Sequence, residues 1–404
     1  MRTIHIFPAI LSLLLSSYVA GQTNVPATPE IAVEKTVPVN TVTTVTTVTT
    51  VTTVNSSGSL KDKLQAMFNT ACSRDEFSGA YLVAKGNQII SEAACGEASK
   101  RYHVANTIDT RFNVASVGKM FTAVGIGQLA EAGRLSYRDP VSKYLDASWL
   151  APAVAKKITV GQLLSHTSGL GDIFNPQFLN GPYMQLATLK DLDGYKTFTR
   201  DAAPVFEPGS NYFYSNIGML LLGVIIEKVS GQSYYDYVRQ HVFLPAGMNS
   251  TDNYVRDEGT ENLATGYMDK KDRTAGKKEN TFLMLLRGAP YGAGYSTVHD
   301  LLRFAQALQM DKLLKPATRK LFWQDHTAGR ADKGSYGYGF ELGTGTLGKV
   351  AGHSGQMPGV YSKLDMYLDK AYTVVVLSNY DPGLLPLAER IAMVLESLPE
   401  PVSQ

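Results

Sequence analysis

Ser116-Val117-Gly118-Lys119 opens a run in which Met120, Phe121, Val124 and Leu129 recur on one side of a helical repeat, with Gly133 as its terminator near Arg134. A three-residue spacing on a helix sets the serine and the lysine on one face, so an amine stands ready to take the proton of a hydroxyl. This is the only Ser-x-x-Lys in the chain. The only Tyr-x-Asn, Tyr214-Ser215-Asn216, and the only His-x-Gly, His353-Ser354-Gly355, follow it in that order. Three single occurrences in a fixed order are hard to dismiss as a chance serine beside a lysine.

Around these motifs the chain divides by composition. Met1 to Gly21 carries Arg2, an apolar core from Ile4 to Leu15 and then small residues, the pattern of a cleaved export signal. Residues 22–59 are rich in Thr, Val, Pro and Ser and read as an extended linker without the large side chains a core needs. The folded body is expected over residues 60–398. No later stretch approaches the roughly 20 apolar residues of a membrane span, so no transmembrane segment is expected in the mature protein. A net charge of +2 with 18% charged residues gives no electrostatic case for nucleic acid. The expected partner is a small molecule or peptide, met in a secreted or periplasmic location.

Within the body, Leu64, Met67 and Phe68 announce a helix, and Phe77 to Ala84 and Ile89 to Ala94 read as strands joined at Lys85-Gly86-Asn87-Gln88. The middle is helical. Thr159-Val160-Gly161-Gln162 is a capping box, a helix follows from Ile217 to Val229, and Thr297 to Asp300 caps another. Strand patterns return at Tyr336 to Leu342, Lys349 to Gly352, Lys363 to Leu368 and Tyr372 to Leu377, with a turn at Asp369-Lys370-Ala371 and a closing helix over Leu384 to Leu395. The two ends of the body thus build one sheet, residues 60–114 and 296–398, around a mostly helical part at 115–295. Cys72 and Cys95 are the only cysteines. They read either as a disulfide or as two small buried thiols.

These motifs, with Phe206-Glu207-Pro208-Gly209, Leu163-Leu164-Ser165-His166-Thr167-Ser168-Gly169-Leu170 and Gly292 to Thr297, resemble the serine β-lactamase and penicillin-binding protein superfamily. The similar branch holds class C β-lactamases, DD-carboxypeptidases and related esterases and peptidases. The resemblance covers about Leu60 to Leu398. It implies an α+β fold: an antiparallel five-stranded sheet flanked by helices, beside an inserted all-helical subdomain. Ser116 would be the nucleophile, Lys119 or Tyr214 its base, and the Tyr214 phenol, made more acidic by Lys119, the proton shuttle. Asn216 would bind the acyl-chain amide of the substrate, or serve only as a helix cap. His353, Ser354 and Gly355 would form the substrate-binding strand edge, and the amides of Ser116 and Gln356 the oxyanion hole. His353 stands where class C enzymes show lysine. An imidazole titrating near its ordinary value of about 6.5 then implies weaker binding of anionic β-lactams.

His166 is expected to be structural, and no histidine has ligand-like spacing, so no metal or cofactor is expected. The implied function is an exported serine hydrolase working through an acyl-enzyme on an amide or ester. A DD-carboxypeptidase or D-aminopeptidase-like activity comes first, with esterase and β-lactamase activity as alternatives. From another class stands a non-catalytic protein that binds cell-envelope peptides.

Overall fold

The computed structural model describes residues 58–174, 187–269, 276–327 and 335–398. The expected export signal and nearly all of the expected linker lie outside them. Seven strands form one antiparallel sheet: β1 Gly79–Lys85, β2 Gln88–Cys95, β3 Ser335–Tyr336, β4 Glu341–Gly345, β5 Gly348–Met357, β6 Val360–Tyr367 and β7 Tyr372–Ser378, in the order β2-β1-β7-β6-β5-β4-β3. The fold is the expected α+β class, with two edge strands beyond the five implied. The stretch expected as a single strand over Tyr336 to Leu342 breaks at Gly337 and Gly339, where the chain turns so that the amide of Gly337 meets the carbonyl of Phe340 at 2.8 Å.

Alternation places the core on both faces of the sheet. Ala80, Leu82 and Ala84 of β1 join Val375 and Leu377 of β7 in the larger core, while Tyr81 and Val83 join Val374 and Val376 in a smaller one. That smaller core is covered by α1, Leu60–Ser73, and α6, Leu387–Glu396, through Leu64, Phe68, Ile391 and Leu395. Every residue of β7 is buried, which is why it read as an unbroken apolar run rather than an alternating one.

Cys72 and Cys95 are joined in a disulfide that ties α1 to β2. The Thr159 capping box forms as expected: the hydroxyl accepts the Gln162 amide at 3.3 Å, and the Gln162 side-chain oxygen accepts the Thr159 amide at 2.9 Å.

Three helices and a tight turn carry the motifs. The turn is a 3-10 segment, Ala115–Gly118, which feeds α2, Lys119–Glu131. Then come α3, Val160–Leu164, and α4, Asn216–Ser230, which pack with α2 into the larger core. From the other side that core is closed by α5, Val298–Gln309. Helix α2 is buried on nearly every side, from Lys119 through Gly127, and not only along the expected face. No helix among the described residues is long and apolar enough to cross a membrane.

Candidate active site

Ser116 does not sit at the first turn of an α-helix as expected, but inside the 3-10 turn that precedes it. Asn113 builds this turn: its side-chain oxygen accepts the Ala115 amide at 2.9 Å, and its amide donates to the Ala293 carbonyl at 2.9 Å. Ala115 is thereby held at a φ of +41°, a left-handed conformation that a side chain resists and that the surrounding contacts impose. Ser116 is left half-buried, while its neighbours are buried.

Lys119, one turn on, is fully buried. Its Nζ reaches Ser116 Oγ at 3.0 Å, Asn216 Oδ1 at 2.7 Å and the Tyr291 carbonyl at 2.6 Å, and lies 4.7 Å above the Tyr214 ring. Burial disfavours the ammonium and draws its pKa down to about 7, with Asp172 and Glu341 pulling the other way. The Tyr214 phenol lies near enough to Ser116 for that hydroxyl to act on its pKa. Alcohol, amine and phenol, nearly a hundred residues apart in the chain, therefore share one locus.

The expected acidification of Tyr214 by Lys119 is not what the site produces. Burial holds the phenol well above its ordinary value, and the Ser116 hydroxyl only partly offsets this. With Glu341 and Asp172 adding negative charge nearby, a phenolate has no net support.

Asn216 is neither the helix cap nor a free amide. The cap is Ser215, whose hydroxyl accepts the Gly218 amide at 3.0 Å. The Asn216 side chain is spanned by protein groups: its oxygen takes Lys119, and its nitrogen donates to both Asp172 carboxylate oxygens at 3.0 Å. Both ends of the Asn216 amide are thus paired within the protein.

The His-x-Gly motif lies on β5 and departs from expectation in a similar way. His353 is buried, with Nε2 2.8 Å from the Tyr336 hydroxyl and Nδ1 2.5 Å from the Ser354 carbonyl and 3.5 Å from Glu341. Desolvation pulls its pKa down to about 4 against the attraction of Glu341. The expected imidazole titrating near 6.5 at the substrate's carboxylate is replaced by a neutral ring fixed inside the protein. Ser354 is likewise engaged, its hydroxyl donating to Glu341 Oε1 at 2.6 Å and its amide to Oε2 at 3.0 Å. Lys363 on β6 pairs with the same carboxylate at 3.2 Å, which keeps Glu341 ionised, with a pKa lowered to about 2.

Gly355 gives β5 its closest approach to the nucleophile. A Cβ there would meet the Ser116 nitrogen at 2.8 Å and the Val114 carbonyl at 2.6 Å, so only glycine lets the strand lie against the turn. Gln356, the next residue, is exposed at the edge of this contact.

Asp172, Glu341 and the Tyr291 carbonyl were not legible as site members in the sequence. For Asp172 the signal was its position directly after Gly169-Leu170-Gly171.

The Beta-lactamase family model matches residues 64–396. Penicillin-binding protein 4* of Bacillus subtilis (strain 168) is 33% identical over 344 residues, 81% of this chain and 75% of that protein. Among solved structures, a penicillin-binding protein from Bacillus halodurans matches with a TM-score of 0.73 at 30% identity, covering 83% of this chain and 98% of the other. A D-stereospecific amidohydrolase from Streptomyces sp. matches with a TM-score of 0.67 at 25% identity, covering 84% and 98%.

Proposed function

The chain belongs to the Beta-lactamase family, and from that premise we propose that it is a serine hydrolase that opens amide bonds of peptide or cell-wall origin through an acyl-enzyme on Ser116. The carrying observation is the 3.0 Å contact between Ser116 Oγ and a buried lysine whose pKa is drawn to about 7. Near neutrality a large share of Lys119 is the free amine, able to take the Ser116 proton as Oγ attacks the substrate carbonyl. The phenol of Tyr214, kept protonated by burial, is suited to donate to the departing amine and then to be reprotonated by the Lys119 ammonium, which carries the proton taken from Ser116. Lys119 is therefore the acylation base of this proposal and Tyr214 its acid.

The amides of Ser116 and Gln356 are assigned to the tetrahedral oxygen, since β5 is pressed against the nucleophile's turn at Gly355. With His353, Ser354 and Asn216 occupied by protein partners, substrate selection falls to backbone edges and rim loops rather than to an imidazole–carboxylate pair. A DD-carboxypeptidase or D-aminopeptidase-like substrate is favoured by the likeness to a D-stereospecific amidohydrolase. Export is part of the proposal, supported by the apolar leader and by a disulfide of the kind that persists in oxidising compartments.

The test is intact-protein mass spectrometry after exposure to a fluorescent penicillin and to peptides ending in D-Ala-D-Ala, with turnover followed for each and Ser116→Ala as control. A covalent adduct mapped to Ser116, with release of D-alanine, is the expected result. Binding without any adduct would replace the hydrolase by a peptide-binding protein.

A further inference from the structure

His166 follows α3 in the segment Ser165-His166-Thr167-Ser168-Gly169, and it is completely buried. Its φ is +57°, a conformation that costs a residue with a Cβ free energy and persists only where neighbours fix it. Those neighbours are three successive residues of the Tyr-x-Asn segment. The His166 carbonyl accepts the Phe213 amide at 3.0 Å, and Nδ1 accepts the Ser215 amide at 3.2 Å. The ring itself lies 4.5 Å from the Tyr214 ring. Tyr336 covers the imidazole from 4.7 Å, and that same tyrosine holds His353 through its hydroxyl.

A backbone N–H only donates, so Nδ1 is the unprotonated nitrogen and Nε2 carries the proton of the neutral ring. Nε2 has no hydrogen-bond partner among the described residues. Burial, together with Lys119 and His353, holds the imidazole pKa well below its ordinary value, so the ring does not charge. A phenyl ring would fill the same stack without burying an unpaired N–H. What the imidazole adds is the acceptor at Nδ1, and that acceptor is spent on the residue between Tyr214 and Asn216.

We infer that His166 is a positioning residue for the reaction: it grips residues 213–215 so that the Tyr214 phenol and the Asn216 amide meet Ser116 and Lys119. This rests on the function proposed above. His166 touches neither substrate nor reacting atoms; it sets the relative placement of the two chain segments that do.

The experiment compares wild type, His166→Phe and His166→Asn on a short-chain nitrophenyl ester, with reactive sites counted by a fluorophosphonate. Asparagine tolerates the left-handed backbone and carries its side-chain oxygen where Nδ1 lies. The phenylalanine variant, leaving the Ser215 amide unpaired, is expected to lose kcat on the order of 30-fold with KM within about twofold. The asparagine variant is expected to recover to within about fivefold of wild type, a rescue that filling a core alone does not produce.

Nitrogen-15 NMR of the wild-type imidazole is expected to show the Nε2–H tautomer without titration from about pH 5 to 9. Unchanged kcat in the phenylalanine variant, equal losses in both variants, or an Nδ1–H ring would each overturn the assignment. If the phenylalanine variant does not fold, the asparagine variant decides, recovery supporting the role and a full loss refuting it. A wild type with no reactive serine sinks the proposed function itself, whereas an Nδ1–H ring in an active enzyme sinks only the positioning role.

Discussion

Replacing Asp172 by asparagine tests the electrostatics of the base directly. Asp172 is linked to Lys119 through the Asn216 side chain, by hydrogen bonds of 3.0 Å and 2.7 Å at the two ends of one amide. That relay sets the two charges about 7 Å apart, where at an effective dielectric of about 20 their attraction is about 2.4 kcal/mol, or about 1.7 pH units on the lysine. Asp172→Asn keeps one oxygen for the Asn216 amide, exchanges the second acceptor for an NH2 and removes the charge, so the ammonium loses support and the Lys119 pKa falls below about 7.

The sign is fixed by the chemistry: activity requires the free amine, so kcat/KM rises with pH through the lysine pKa. In wild type that rise is centred near 7. In the variant it is expected to shift about 1 to 2 units toward acid, with the pH-independent plateau lowered less than tenfold, about what a slightly weaker base costs. Glu341 remains in both proteins and continues to favour the ammonium, and His353 stays neutral through this range because its pKa is about 4. The assay is the pH profile of kcat/KM on an uncharged ester between about pH 5 and 9, where no substrate ionisation intrudes. A limb that stays in place, or moves toward alkali, refutes Lys119 as the group whose deprotonation switches the enzyme on.

Other substitutions probe the remaining parts. Ser116→Ala should abolish fluorophosphonate labelling and lower kcat/KM on the order of 1,000-fold or more, with an unchanged melting temperature. Gly355→Ala forces a Cβ to 2.8 Å from the Ser116 nitrogen; differential scanning calorimetry should show a loss of about 1–3 kcal/mol, accompanied by a fall in kcat of more than about tenfold. Reduction of the Cys72–Cys95 bond, which closes a loop with a sequence separation of 23, should cost about 3 kcal/mol of stability in chemical denaturation while leaving KM unchanged.

Much of this architecture was legible because local rules and global shape agree. The hairpin at Gly86, the capping box at Thr159 and the buried run of β7 each follow from a period or a turn residue that needs no partner elsewhere. Ser116, Lys119 and Tyr214 were found because their chemistry is unusual at such spacings. Less legible were the side chains whose surroundings depend on a partner far along the chain. Asn216 and Ser354 present amide and hydroxyl groups that read as substrate contacts, and the sequence did not show that they also pair with Asp172 and Glu341. His353 and Tyr214 were given the wrong titration behaviour because desolvation is a property of the surrounding fold, not of the motif.

The pairing of β1 with β7 joins residues 79–85 to 372–378 in the interior of the sheet. A ribosome must therefore deliver almost the entire body before this seam can be sewn, and every shorter nascent chain lacks the strand that β1 needs. Contacts so remote in sequence slow the search for the native state. Such a polypeptide stays open along this seam until its last strand arrives.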